Sequence, residues 1–360
     1  MPDLSGMPCW FLGANAPKGY FSRFDQLFLA SPKGRCFLIK GGPGTGKSTM
    51  LKKIAAVLKE KDPGTELIFC SADIDSLDAV ITSDGMFSAA DATLPHAVEP
   101  KYPGVYETVV SLSDCWDEKI LREHSEKIAE LFDSNRRLHE EARRYISAAA
   151  NLLEEASKLG MESLCTEKTE KSAFRLCVKE FGRKKHRKGT EKQRFLSAVT
   201  EKGVFFLEKT PEILCKRIYM LDDDPGAFSK VFLNIVRKTA LEYGFDIITC
   251  RCPVFPSEKI EHIFIPELGL GFMTRNKRHK IKNLPYRVIH SRRFFDKEKF
   301  RKNKMRIKFA LRQAKGILDE AFSCLSEAKQ IHDELEKYYI PAMDFSKVDE
   351  KLEKIIAEIK

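Results

Sequence analysis

The sequence predicts an α/β protein made of two P-loop NTPase-like repeats, each with a parallel sheet and a long helical arm. First, two segments about half a chain apart share one order of features within the 360 residues. Second, short apolar strands alternate with helices in both segments, as in parallel sheets covered by helices. Third, one segment carries a complete phosphate-loop motif between a strand and a helix.

The internal repeat is the basis of the first observation. Each copy contains an aromatic-leucine pair, a Lys-Gly pair, an apolar strand and a Pro-Gly turn, in that order. The first copy has Phe11-Leu12, Lys18-Gly19, Cys36–Ile39 and Pro43-Gly44, and the second has Phe195-Leu196, Lys202-Gly203, Ile218–Leu221 and Pro225-Gly226. The chain is therefore interpreted as a tandem duplication.

Both copies end in long helical stretches. Apolar or small residues recur every seven positions, from Ile128 to Ala156 in the first copy and from Ala314 to Ala328 in the second. Such a repeat places a narrow apolar stripe along a helix, and alanine on the stripe lets another helix approach closely. Packing of the arms on each other or on the sheets is favoured over binding of a separate coiled-coil partner.

These features divide the chain into five expected parts, because 360 residues exceed one ordinary core. Residues 1–118 form an intact nucleotide-binding repeat and residues 119–181 its helical arm. A basic linker covers 182–192. A degenerate second repeat covers 193–300, and a C-terminal helical arm covers 301–360.

Composition narrows the class of protein. Hydrophobic residues make up 43% of the chain and charged residues 32%, which excludes wholesale disorder and is typical of soluble globular proteins. No apolar run is long enough to cross a bilayer, and the N-terminus lacks an export pattern, so we expect a cytoplasmic protein without a membrane partner. Ten scattered cysteines without a CxxC pair favour reduced thiols.

The clearest motif is G-x-x-x-x-G-K-[ST], between an apolar strand and a helix. It is matched by Gly41, Gly42, Pro43, Gly44, Thr45, Gly46, Lys47 and Ser48, and followed by Thr49. Glycine lets the backbone curl around phosphates with its amides pointing inward. Lys47 is expected to reach the β- and γ-phosphates of ATP. The helix N-terminus, supported by Thr49, adds partial positive charge beneath them.

The motif also predicts a Mg²⁺ site. The Ser48 hydroxyl is one expected ligand, and Asp91, at the end of the apolar strand 86–91, is the best candidate for the second. Asp73 follows another short strand and is a candidate for orienting the attacking water, with Asp75 as the alternative. The predicted catalytic set is therefore Lys47, Asp91 and Asp73. Loop capping is the competing interpretation for each carboxylate.

The second copy lacks the phosphate-binding lysine. When the Pro-Gly turns are aligned, Phe228 takes the position of Gly46 and Ser229 that of Lys47. Phe228 would then crowd the loop, and three acids, Asp222 to Asp224, would repel phosphate. We expect little or no nucleotide binding there, and a structural or regulatory role for this half.

A family resemblance rests on three segments. These are Ile39 to Thr49, Asp91 to Gly104, and Ile265-Pro266-Glu267-Leu268. They resemble a little-characterised bacterial family of duplicated P-loop ATPases, and the likeness covers nearly the whole chain. The resemblance implies nucleotide binding but no particular substrate. Members of that family look able to bind nucleotide in both halves, a pattern from which this sequence departs at Phe228 and Ser229.

Three functions are compatible with these features. The leading one is an ATPase that couples its MgATP state to movement of the arms or of the degenerate half. The first alternative is a small-molecule or nucleotide kinase with its acceptor site at the Pro95–Gly104 loop, including His96. The second is a nucleic-acid-binding module with slow turnover, because Arg275–Lys308 holds fifteen Lys or Arg against two acids. Pairing of this segment with acidic helices of the same chain is the competing interpretation.

Overall fold

The computed structural model describes residues 3–28, 34–95, 97–277 and 281–359. Its first half contains, in order, β1 (Cys9–Trp10), β2 (Gly13–Ala16), β3 (Gly19–Ser22), β4 (Arg35–Lys40), α1 (Lys47–Lys61), β5 (Glu66–Phe69), β6 (Leu77–Ile81), β7 (Phe87–Asp91), β8 (Glu107–Ser111), α2 (Glu118–Glu123), α3 (Ser125–Ser163) and α4 (Thr166–Phe181). The second half contains β9 (Glu191–Arg194), β10 (Ser197–Thr200), β11 (Gly203–Phe206), α5 (Thr210–Leu214), β12 (Arg217–Asp222), α6 (Ala227–Glu242), β13 (Ile247–Arg251), β14 (Ile260–Ile265), β15 (Leu270–Arg275), β16 (Arg287–His290), α7 (Lys297–Tyr339) and α8 (Phe345–Ile359). Among the described residues, none of the helices combines the length and the apolar character that crossing a bilayer requires.

Each half is built around one six-stranded sheet, and the two sheets have the same topology. The strand orders are β1-β5-β6-β7-β4-β8 and β9-β13-β14-β15-β12-β16, which correspond strand for strand. The predicted α/β class and duplication are confirmed at this level. The expectation of parallel sheets is wrong in one respect, because β6 and β14 run antiparallel to both of their neighbours.

Connection lengths explain the antiparallel strands. Residues 70–76 join β5 to β6, and residues 82–86 join β6 to β7. Antiparallel neighbours can be joined by such short connections, whereas a parallel crossover needs a dozen residues or more. The strand β4 pairs in parallel with both β7 and β8, so these three strands end at the same edge of the first sheet.

The two arms pack along each other as an antiparallel pair. The Asn135 side chain on α3 donates to the Ala328 carbonyl of α7 at 2.7 Å. At the opposite end, Asn303 donates to the Leu159 carbonyl at 3.4 Å. The buried stripes include alanines on both helices, namely Ala142, Ala149 and Ala156 on α3 and Ala314, Ala321 and Ala328 on α7. Arm-to-arm packing is thus confirmed.

The helix that follows each arm crosses to the opposite half. The helix α8 follows the second arm but packs on the first half, where Leu352 is buried in one hydrophobic cluster with Leu51 of α1. The helix α4 follows the first arm but packs on the second half, where Cys177 is buried with Phe232 of α6. Residues 182–190 then lead into β9 and lie against the second half, where Arg187 pairs with Asp246 at 2.8 Å. The predicted parts therefore follow one another along the chain as expected, but α4 and α8 do not pack on the repeat that precedes them.

The two halves meet through backbone contacts and a buried ion pair. Phe11 and Phe195 exchange backbone hydrogen bonds of 2.9 Å in each direction. Arg194 on β9 donates to Glu66 on β5 through Nε at 2.9 Å and Nη2 at 2.6 Å. The side chains are only 2% and 7% exposed, respectively, so this pair ties the two sheets together out of reach of bulk water.

Candidate functional site

The Gly41–Ser48 loop joins the end of β4 to the start of α1. Gly44 has φ 64° and Gly46, which caps α1, has φ 90°, both in the left-handed region. That region favours glycine, because a Cβ there meets the backbone. A Cβ on Gly42 would also lie 2.7 Å from a ring carbon of Tyr339. The strand-loop-helix arrangement that the motif predicts is present.

Lys47 is folded back across this loop. Its Nζ donates to the Gly41 carbonyl at 3.0 Å and to the Gly42 carbonyl at 2.6 Å, and lies 3.6 Å from Asp91 Oδ2. The Lys47 and Asp91 side chains are only 13% and 14% exposed. Asp91 arrives here because β7 runs parallel to β4 and pairs with it up to Ile39. The structure thus brings the predicted lysine and carboxylate together.

Oxygen atoms suited to Mg²⁺ lie at the same edge. Ser48 Oγ accepts a hydrogen bond from the Leu77 amide at 3.0 Å, and Asp91 Oδ1 accepts one from the Thr93 amide at 2.8 Å. These bonds orient both groups. Among the described residues, no cluster of three or more His, Cys, Asp or Glu side chains could hold a metal by itself. Mg²⁺ usually needs only one or two protein ligands beside phosphates and water, so Ser48 and Asp91 fit such an ion.

Thr93 is a site residue that sequence reasoning missed. Its Oγ1 donates to the Gly41 carbonyl at 3.1 Å, and the Gly41 amide approaches the same Oγ1 at 3.4 Å. Thr93 therefore holds the entry of the loop against the end of β7. A threonine two positions after Asp91 is a weak signal, because strands commonly end in such residues.

Asp73 stabilises the connection between β5 and β6, whereas the exposed Asp75 side chain lies 3.5 Å from Lys202 Nζ. Asp73 accepts from the Asp75 amide at 3.1 Å and from Ser76 Oγ at 2.9 Å, as the loop-capping interpretation predicts. Asp73 also lies 3.7 Å from Lys329 Nζ on α7. This connection is therefore tied to the C-terminal arm. The role of Asp73 in orienting water stays a prediction.

The end of α7 covers the loop. A Cβ on Gly44 would lie 2.9 Å from Ile340 and 3.3 Å from Glu336 Cα. The pKa of the Glu336 carboxyl is lowered, first by a hydrogen bond from His332 and further by the Gly44 amide. A carboxylate from the far end of the chain thus lies against a loop amide. No local sequence pattern connects these residues, so Glu336 was missed.

The Pro95–Gly104 loop lies beside the same edge. Glu99 Oε1 is 2.5 Å from Lys40 Nζ, at the last residue of β4. Tyr102 is exposed, while His96 is outside the described residues. The loop is therefore near the candidate site, but its predicted acceptor role stays a prediction.

The second half has a shorter loop at the corresponding place. Gly226 caps α6 with φ 81°, which matches Gly46 before α1. Four residues, 223–226, separate β12 from α6, whereas six, 41–46, separate β4 from α1. The alignment by Pro-Gly turns is therefore wrong by two positions, because the helix cap sets the register. Ala227 stands where Lys47 stands in the first half.

The side chains of this shorter loop turn inward. Phe228 is fully buried and stacks on Phe294 at 4.7 Å, so it does not crowd a phosphate cradle as expected. Asp223 accepts from the Ser229 amide at 2.7 Å, and burial raises the pKa of its carboxyl. A Cβ on Gly226 would lie 2.9 Å from Lys259 Nζ. The loop is filled by the protein's own groups.

The basic segment Arg275–Lys308 lies at the corresponding edge of the second sheet. Arg275 and His290 contact Asp222 at 2.8 and 2.9 Å. Arg306 pairs with Glu155 on the first arm at 3.1 Å, as the self-pairing interpretation expects. Arg278, His279 and Lys280 are outside the described residues. Within the described residues of this segment, carboxylates of the chain thus neutralise only part of the positive charge.

Comparisons of the chain with protein-family models, with curated proteins and with solved structures find no match. A glycine-lined loop at a helix N-terminus, with a lysine and a carboxylate beside it, is suited to a phosphate chain and a divalent cation.

Proposed function

We propose that the chain binds a nucleoside triphosphate with Mg²⁺ at the Gly41–Ser48 loop, and that it is an ATPase with one working site. The observation that carries this proposal is the loop itself, with left-handed Gly44 and Gly46, the N-terminus of α1 and the adjacent Lys47. Backbone amides and a helix N-terminus together attract phosphate oxygens. The second half, with Ala227 in the place of Lys47, takes no part in this binding.

Each group at the site has a distinct role in this proposal. Lys47 exchanges its bonds to the Gly41 and Gly42 carbonyls for the β- and γ-phosphates. Ser48 and Asp91 hold Mg²⁺, which when bound neutralises charge that develops on the phosphate oxygens. Thr93 keeps the loop entry in place, since it contacts both backbone groups of Gly41.

The C-terminal arm supplies the coupling. The Glu336 carboxylate lies against Gly44, so a γ-phosphate near that amide meets a like charge. Binding of the triphosphate therefore favours displacement of the end of α7. The arm position and the nucleotide state become linked, because each changes the free energy of the other.

The first test compares ATP, ADP and AMP by calorimetry, each with and without Mg²⁺. We expect affinity to fall from ATP to ADP and to be lost for AMP, because the loop contacts the β- and γ-phosphates. Phosphate should be released from MgATP without any added acceptor, which distinguishes an ATPase from a kinase. Equal affinity for ATP and AMP, or binding that is indifferent to Mg²⁺, would contradict the proposal.

Glu336→Gln is expected to tighten ATP binding about tenfold. The variant removes a negative charge from the loop and weakens the Glu336 contact that competes with the nucleotide, and the two effects together contribute on the order of 1.4 kcal/mol. Glu327→Gln, an exposed position on the same helix, is the matched control and should leave the affinity unchanged. Competition titrations measure both. Unchanged or weaker ATP binding by Glu336→Gln would show that the arm does not oppose the nucleotide.

A further inference from the structure

A cavity of about 1200 Å³ lies at the carboxyl edge of the second sheet, against the first half of α7. Its walls include Asp222, Arg275 and His290, the last residues of β12, β15 and β16. In open α/β sheets, ligands bind in the crevice at this edge. The cavity therefore lies beside the shorter loop, at the edge of the second sheet that corresponds to the edge where the Gly41–Ser48 loop lies in the first. We call this cavity the α7 groove.

The acids of the α7 groove are largely neutralised. Asp222 contacts Arg275 at 2.8 Å and His290 at 2.9 Å, and Asp224 lies 4.0 Å from Lys277. Burial raises the pKa of the Asp223 carboxyl. Asp319 remains as an exposed carboxylate at the groove. The shorter loop thus adds little net negative charge.

The cations of the α7 groove are not neutralised in the same way. In the described part of the chain, no carboxylate lies within ion-pair distance of five of them, Arg292, Lys304, Lys308, Arg312 and Lys315. All five are exposed at the groove. Unpaired cations that line a concave surface raise the local concentration of anions. The groove is therefore an anion-attracting surface.

Four of these cations form a row along one helix. Lys304, Lys308 and Arg312 follow each other at intervals of four residues, and Lys315 follows three later. Residues three and four apart share one face of a helix. At 1.5 Å per residue, the row is about 16 Å long. It can contact several phosphates in succession along an extended chain.

The floor beneath the row is apolar and partly aromatic. It includes Phe300 and Phe322, which are half-buried, and the aliphatic side chains of Ile307, Leu311 and Leu318. A neighbouring cavity of about 840 Å³ shares Lys308 and Arg312, so the basic surface continues beyond the groove. Aromatic faces next to a cationic track are the combination that binds single strands, because bases stack while phosphates pair with cations.

We propose that the α7 groove binds single-stranded nucleic acid, with phosphates along the Lys304–Lys315 row and bases over the apolar floor. A mononucleotide is too short to contact the whole row. A duplex keeps its bases stacked inside, where the floor cannot reach them. None of these groups belongs to the Gly41–Ser48 loop, so the proposal does not depend on nucleotide binding there.

The test measures binding of labelled fifteen-nucleotide single strands of DNA and RNA by fluorescence anisotropy over a range of salt concentrations. The variant is Lys304→Gln/Lys308→Gln/Arg312→Gln in the full chain. The matched control, Arg183→Gln/Lys184→Gln/Lys188→Gln, removes the same charge from the exposed segment after α4. Lys47→Ala is measured in parallel and should keep its affinity for the strand.

We expect the row variant to bind at least tenfold more weakly than the wild type, and the control to change less than threefold. The slope of log affinity against log salt should decrease by about 2, because each phosphate contact on a single strand contributes about 0.7. If the row variant melts early, Arg292→Gln/Lys315→Gln replaces it and should lose affinity in the same direction.

Three outcomes would overturn the proposal. The first is an equal loss of affinity in the row variant and the control, which would indicate net charge alone. The second is duplex binding as tight as single-strand binding. The third is displacement of the strand by AMP at an equal concentration of nucleotide units, which would indicate a site for small phosphates.

Discussion

Lys47→Ala is expected to weaken ATP binding by about a hundredfold and to abolish phosphate release. In the structure, the Lys47 ammonium is held beside Gly41, Gly42 and Asp91, where it can transfer to a bound phosphate chain. A hydrogen bond to a charged group contributes on the order of 3 kcal/mol, which corresponds to about a hundredfold in affinity. Calorimetric titration with MgATP and a phosphate-release assay measure the two effects.

Lys53→Ala is the matched control on the same helix. Lys53 forms an exposed ion pair with Asp349 at 2.8 Å, and exposed pairs contribute little to stability. This variant should bind ATP as the wild type does. Because Lys47→Ala also removes the contact between Lys47 and Asp91, melting curves must show that the variant is folded at the assay temperature. ATP binding within threefold of the wild type would rule out the Gly41–Ser48 loop as the nucleotide site.

Arg194→Ala should destabilise the whole chain by about 3 kcal/mol. The substitution leaves Glu66 buried without its main partner, and breaking a buried pair from one side costs about 3–5 kcal/mol. The lower end of that range is expected, because Lys192 Nζ still lies 3.8 Å from Glu66 Oε1. Urea denaturation measures the loss as a lower transition midpoint.

Two controls separate the buried charge from other effects of this substitution. Glu66→Gln/Arg194→Met removes both charges and should recover most of the stability, because no unpaired charge remains. Arg187→Ala breaks the exposed pair with Asp246 and should cost about 1 kcal/mol or less. If Arg194→Ala costs no more than Arg187→Ala, the pair does not hold the halves together.

Local patterns predicted several features correctly. The position of Asp91 beside Lys47 follows from two parallel strands that end at one edge, and each strand is visible as a short apolar run. The duplication is likewise visible, because the order of features is preserved between the copies. The directions of β6 and β14 were predicted wrongly, because a buried apolar run has the same composition whether the strand is parallel or antiparallel. The short connections on either side of β6 do indicate an antiparallel strand.

Register in the second half was decided by a helix cap. The Pro-Gly turn looked like the natural anchor, but a turn can lose residues while the strand and helix on either side stay in place. Gly226 keeps the left-handed conformation of Gly46, so the two missing residues fall before it. Phe228 then faces the core instead of the loop.

By itself, the sequence determined the α/β class, the repeat, the glycine-rich loop and the helical arms, because these depend on residues close together in the chain. Only the tertiary structure decided that α4 and α8 exchange halves, that Glu336 lies against Gly44, and that the α7 groove forms. The physical reason is that periodicity shows which face of a helix is buried, but not which surface buries it. That choice depends on packing between segments far apart in the chain.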